Sequence, residues 1–209
     1  GTPTDAIDTN LSIDNYIPIL NWTIIPYSFV YLYVFIIPFF LQTKENIYLF
    51  FRESVWAMML INICYVCFPF IVEQKEIIHQ DFFGKWILWE RGMDGKNAAL
   101  PSYHVVWAFI AAQYYGQVFS KTKWLHYTIA VFISIACLTT GNHTILDVLG
   151  GFFIFLLVKN LDKTWLYIQK LSEKVANSWK EWHFGNIRII NHGFYAGLAG
   201  LIGFGLMAN

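Results

Sequence analysis

The sequence predicts an all-α membrane protein: a polytopic transmembrane helical bundle of five or six spans with one interfacial amphipathic helix. Three observations carry this. Only 13% of the 209 residues are charged and 56% are apolar, against roughly 25% charged in a soluble domain. Apolar runs close to the roughly 20 residues that a bilayer core requires recur along the chain. Aromatic residues make up 19% of the chain and gather at the ends of these runs, where Trp and Tyr anchor in the headgroup layer. Lipid offers no partner to an open strand edge, so each run reads as a helix.

The runs follow one another as about Thr23–Gln42, Val55–Val72, Tyr103–Phe119, Trp124–Thr140 and His143–Val158. A sixth, about Asn191–Ala208, carries Gly193, Ala196, Gly197, Ala199, Gly200 and Gly203 at small-xxx-small spacing. That face suits a closely approaching helix partner. The segment 161–187 differs: Trp165, Ile168, Leu171, Val175, Trp179 and Trp182 recur every three or four residues with lysines between. This is the pattern of a helix lying in the interface plane. The chain is thus read as a single membrane domain, 1–209. Its catalytic core is about 20–160, its amphipathic helix about 161–187 and its last span about 191–208. The polar start, GTPTDAIDTNLSIDN, is no membrane segment and opens on Gly1 without a signal peptide, so the chain is read as a piece of a longer or processed protein.

Charge sets the orientation. Loops 43–52, 119–123 and 159–188 hold Lys44, Arg52, Lys121, Lys123, Lys159, Lys163, Lys170, Lys174, Lys180 and Arg188. Loop 74–101 holds Lys75, Lys85, Arg91 and Lys96. The positive-inside rule makes the first set cytoplasmic. Residues 74–102, the turn near Asn142 and both chain ends then face outward, from a plasma or inner membrane. The formal net charge of zero gives no electrostatic footprint for nucleic acid. Cys64 and Cys67 have C-x-x-C spacing inside an apolar run and read as small hydrophobes. No Cys/His cluster has zinc spacing. No G-x-x-x-x-G-K-[ST] occurs, and neither a metal nor a cofactor is expected.

The chemistry is sought in ionisable residues placed where polarity is expensive. His143 and Asp147 stand four apart at the start of the fifth span, in NHTILDVLGG, which puts both on one helical face. The carboxylate can then hold the Nδ1 proton and leave Nε2 as a nucleophile. His104 lies in ALPSYHVVW as the third span begins, with Ser102 as N-cap and Pro101 beside it; Asn142 and Thr140 are read as caps of the fifth span. Both helix starts open on the same face and attract phosphate. These residues imply phosphoryl transfer: His143 attacks, Asp147 orients it, and His104 protonates the leaving oxygen. Ser102, Tyr103 and Asn142 hold the phosphate. The competing reading of His143 and Asp147 is a pair that only ties helices together.

PSYH at 101–104 and HTILDV at 143–148 resemble two signatures of the type 2 phosphatidic acid phosphatase superfamily. NAALPSYH and TGNHTILDVLGG are similar to the branch containing fungal inositol phosphorylceramide synthase and its bacterial relatives. The resemblance covers about residues 20–160 and implies a membrane phosphotransferase or phosphatase acting on a lipid phosphate, with water, an alcohol or a polyol as acceptor. The family's Ser-Arg ahead of its second histidine is replaced by Ala136 and Cys137, and its first signature is not recognisable. Lys75 is the best-placed substitute cation, with Arg91 and Lys96 as others. A phosphodiester needs a cation less than a phosphomonoester does, which favours a transferase.

His79, His126, His183 and His192 lack a carboxylate at helical spacing and read as loop or interfacial residues. Glu90 and Asp94 read as solvated loop charge. A glycan on the Asn142 sequon would block the site, and that reading is discounted. Two other functions compete. One is a non-catalytic lipid-phosphate-binding or assembly module on the same bundle. The other is a transporter, against which stand the absence of internal repeats and the placement of the key residues near one face. The spans also stand against a soluble vanadate-dependent haloperoxidase.

Overall fold

The computed structural model describes residues 7–68, 70–78, 81–94, 100–176 and 181–207. The chain folds as two compact units, 1–159 and 160–209.

The first unit is helical. Its helices are α1 (Ile24–Ile36), α2 (Lys44–Cys67), α3 (Phe82–Asp94), α4 (Tyr103–Val118), α5 (Lys123–Thr139) and α6 (Ile145–Lys159). Among the described residues three stretches can cross a membrane by length and composition: Asn21–Phe40, Lys44–Cys67 and Ser120–Thr139. The second of these begins well before the expected Val55. Thr43 caps it by accepting the Asn46 N–H at 3.1 Å, which draws the charged stretch 44–52 into the helix.

Helix α4 is the hub. It packs on α1, α2, α5 and α6, and nearly every residue from His104 to Gly116 is buried. Between helices already surrounded by lipid, close packing and hydrogen bonds supply the adhesion. Gln113 Nε2 donates to Glu53 Oε2 at 3.0 Å, the Tyr115 hydroxyl donates to the Tyr33 carbonyl at 3.2 Å, and Thr139 Oγ1 donates to Thr23 Oγ1 at 3.0 Å.

Three expectations are corrected. The stretch 74–101 contains helix α3, where a loop was expected. Asp81 starts it by accepting the Gly84 N–H at 2.7 Å, and Ile87 and Glu90 face inward at 0% and 4% exposure. The protein is mostly helical but not all-α among its described residues. Ile7–Asp8 pairs in parallel with Phe70–Ile71 (β1 and β2), laying the polar N-terminal segment against the bundle. In the second unit the amphipathic helix stops early, as α7 (Leu161–Ala176), and an antiparallel hairpin follows, β3 (Glu181–Phe184) with β4 (Ile187–Ile190). Its two-residue turn has Gly185 at φ 62°, which glycine adopts without steric cost. Helix α8 (Asn191–Met207) completes this unit; there Trp182 Nε1 donates to Asn191 Oδ1 at 3.0 Å. Trp179 lies outside the described residues.

Candidate active site

The N-termini of α4 and α6 meet. The Ser102 N–H donates to the Asp147 carbonyl at 2.9 Å, so the PSYH and HTILD segments are tied by their backbones. Ser102 occupies the N-cap position of α4, yet its side chain accepts no cap bond. Its Oγ is buried without a partner.

The turn from α5 to α6 presents His143. The Thr140 N–H still bonds to the Ala136 carbonyl. Gly141 then adopts φ 66°, where a Cβ would lie 3.1 Å from an Arg91 nitrogen, and the His143 N–H donates to the Cys137 carbonyl at 3.2 Å. Helix α6 starts at Ile145, so His143 precedes the helix, where the spacing alone put it on the first turn. The cap is Thr144, not Thr140 or Asn142. Its N–H donates to Asp147 Oδ2 at 2.8 Å, and the Asp147 N–H donates to Thr144 Oγ1 at 3.3 Å. This is a reciprocal capping box, legible in the sequence as T-x-x-D before an apolar run.

Asp147 therefore has two tasks. It closes the helix start, and it faces His143, with Oδ2 3.5 Å from Nδ1. That separation suits an ion pair and is too long for a good hydrogen bond. The His104 and His143 ring centres lie 5.6 Å apart. Tyr27 lies against His104 at 3.9 Å between ring centres and 6.3 Å from the His143 ring. Around these rings buried polar atoms converge that have no hydrogen-bond partner among the described residues: Ser102 Oγ, His104 Nδ1, Asn142 Nδ2, both ring nitrogens of His143 and Asp147 Oδ1. Native interiors rarely orphan so many polar atoms together. The donors among them, Ser102 Oγ and Asn142 Nδ2, suit an anionic ester.

Of the two expected cations among the described residues, Arg91 bonds to the turn that carries His143. Its Nε donates to Asn142 Oδ1 at 2.9 Å, and its terminal nitrogens donate to the carbonyls of Lys75 at 2.7 Å, Thr140 at 3.0 Å and Gly141 at 3.2 Å. The guanidinium thus clamps the turn and leaves the Asn142 amide nitrogen free to donate. Burial lowers its pKa from the ordinary arginine value, and Tyr27 opposes that shift. Lys75 turns to the carbonyls of Asp14 and Ile17; burial lowers its pKa and Asp14 opposes that. The Tyr103 hydroxyl sits 3.1 Å from that of Tyr31. Lys96, with Asn97–Ala99 and His79, lies outside the described residues.

Sequence reasoning passed over Asp14, which is 3% exposed. It accepts the Ile145 N–H at 2.9 Å and the Leu11 N–H at 2.8 Å, adding a second cap to α6 from 131 residues away. It also passed over Tyr27 and Tyr31, which touch His104. Nothing in their local spacing marks them. Among the described residues no group of three His, Cys, Asp or Glu side chains is placed to hold a metal ion.

In one helical bundle, then, two imidazoles and a carboxyl group stand together at the starts of α4 and α6. The chain belongs to the PAP2 superfamily, whose family model matches residues 15–161. Members of that family are typically phosphatases and phosphotransferases. No curated protein and no solved structure matches the chain.

Proposed function

We propose that this protein transfers or hydrolyses the phosphoryl group of a lipid phosphate through a phosphohistidine on His143. The observation that carries the reading is the convergence of His143, His104 and Asp147 around orphaned donors, with 5.6 Å between the imidazole ring centres. In the first step a His143 nitrogen bonds to phosphorus while the ester oxygen departs with a proton from His104. Asp147 faces Nδ1, which leaves Nε2 to attack. In the second step water or an alcohol gives its proton to His104, attacks phosphorus and frees His143. Ser102 Oγ and Asn142 Nδ2 donate to the phosphoryl oxygens, and the Arg91 charge stands behind Asn142. Tyr103 lines the approach.

A lipid substrate is supported by what adjoins the site. An apolar groove of about 310 Å³ runs beside Tyr31 and Tyr103 and shares Val34 and Trp107 with a larger one of about 610 Å³ between α1, α2 and α4. With five or six spans the site faces the extracytoplasmic side of a plasma or inner membrane. The NAALPSYH and TGNHTILDVLGG segments favour the inositol phosphorylceramide synthase-like branch, and hence a polyol or other alcohol as acceptor.

The test is thin-layer separation of products from ³²P-labelled phosphatidic acid, polyprenyl phosphate and phosphatidylinositol, each with and without polyol and lipid alcohols. Wild type forms product and an acid-labile phosphohistidine, and His143→Ala forms neither. Turnover by a folded His143→Ala variant refutes the mechanism.

A further inference from the structure

Asp147 serves His143, but His104 has no carboxylate at helical spacing. Proton transfer to a leaving oxygen makes His104 alternate between imidazolium and neutral imidazole. It does so at 0% exposure, between the rings of Tyr27 and Tyr103 at 3.9 and 4.1 Å. A buried cation needs a counter-charge within reach.

One is present. Glu90, on α3, is 4% exposed, where its place in the sequence suggested solvated charge. Its Oε1 accepts the Ser28 hydroxyl at 2.7 Å, and Oε2 faces the Tyr31 hydroxyl at 3.5 Å, the same separation as Asp147 Oδ2 from His143 Nδ1. The same Tyr31 oxygen lies 3.1 Å from His104 Nε2. A carboxyl group is costly to enclose. The Ser28 bond accounts for one of its oxygens; the other is directed through a phenol to the second histidine of the site.

We propose that Glu90, acting through Tyr31, is the positioning residue and counter-charge for His104, a counterpart to Asp147 at His143. The proposal rests on the acid–base role of His104 given above. When Glu90 accepts the Tyr31 O–H, the Tyr31 oxygen is left to accept the His104 Nε2–H. Nδ1, buried without a partner, is then the nitrogen that exchanges protons with substrate. In the first step the Nδ1–H bond breaks as the leaving oxygen gains its O–H, the P–O bond breaks and the His143–phosphorus bond forms. In the second step the acceptor's O–H proton passes to Nδ1 as its oxygen bonds phosphorus and His143 leaves. Glu90 stays ionised and Tyr31 keeps its proton throughout.

This arrangement makes the Glu90 contribution depend on the leaving group. p-Nitrophenolate departs without a proton, whereas the glyceryl oxygen of phosphatidic acid requires one. The experiment compares wild type, Glu90→Gln and Tyr31→Phe, each as the full chain in detergent, on p-nitrophenyl phosphate and on phosphatidic acid. For both variants kcat on phosphatidic acid falls about tenfold or more, part of the roughly 10²–10⁴-fold that general-acid catalysis contributes in all. KM stays within about twofold, and kcat on p-nitrophenyl phosphate falls less than about threefold. The double variant is no slower than the slower single one, because both cut the same chain. Should Glu90→Gln fail to fold, Tyr31→Phe alone carries the comparison. Equal losses on the two substrates, or no loss on phosphatidic acid, overturn the proposal. A wild type inactive on both, or a His143→Ala variant that remains active, overturns the phosphohistidine reading instead.

Discussion

Gly151→Ala tests whether the close approach of α4 and α6 assembles the site. Gly151 lies one helical turn beyond Asp147, directly beneath the PSYH segment. A Cβ added there would sit 2.5 Å from the Ser102 carbonyl oxygen and 3.0 Å from Val105 Cβ. Ordinary contact begins near 3.4 Å, so backbone must retreat by about 0.9 Å, the difference between those two distances. The atom in the way is main chain and cannot rotate aside. The displacement falls on the segment whose Ser102 N–H bonds to the Asp147 carbonyl at 2.9 Å, and it moves His104 relative to His143. Overpacking of this kind costs about 1–3 kcal/mol, offset by up to about 1 kcal/mol from the better helix propensity of alanine. A net loss of about 1–2 kcal/mol corresponds to a fall in Tm of about 2–8 °C. A misplacement near 1 Å at a reacting centre lowers turnover by up to about 10²-fold. The assay pairs thermal unfolding in detergent with kcat/KM on a lipid phosphate. Gly150→Ala is milder in both, because its nearest obstacle at 2.7 Å is the end of the Leu100 side chain. Gly197→Ala, with nothing within 4 Å, is the control and leaves activity unchanged. Wild-type Tm and turnover in Gly151→Ala, or an equal loss in Gly197→Ala, would show that this packing does not hold the site together.

Two further predictions concern the turn that carries His143. Arg91→Lys keeps the charge but loses the planar fork that reaches Asn142 and the carbonyls of Lys75, Thr140 and Gly141 at once; losing one such charged hydrogen bond costs about 1.5–3 kcal/mol, so kcat/KM falls roughly 10–100-fold, and full activity in this variant refutes the clamp. Asp14→Ala removes the acceptor of the Ile145 and Leu11 N–H groups and costs about 1–2 kcal/mol by thermal unfolding, while Asp14→Asn, whose single amide oxygen keeps only one of the two bonds, recovers only part of it.

What was legible in the sequence was local. The apolar runs marked α4, α5, α6 and α8 to within a few residues, because the need to satisfy backbone groups in lipid allows a long apolar run little besides helix. The PSYH and HTILD segments named both imidazoles and the carboxyl group, since each lies within a few residues of a helix start. Two signals were present and unread: T-x-x-D at 144–147, which moves the cap to Thr144 and His143 off the helix, and Gly185–Asn186, which ends the amphipathic helix in a hairpin.

Other features follow from no local pattern. Glu90 reads as a loop charge until α3 folds it inward onto Ser28 and Tyr31. Arg91, one residue on, reaches a turn 50 residues away, and Asp14 caps a helix 131 residues away. By itself the sequence marked a helical membrane protein and singled out the two histidines as candidates, because span length and helix-start chemistry are written in consecutive residues. Tertiary structure alone brought Glu90 and Tyr31 to His104 and Arg91 to the turn before His143. A hydrogen bond is set by angstroms of separation, and residues far apart in the chain reach that separation only when the helices pack.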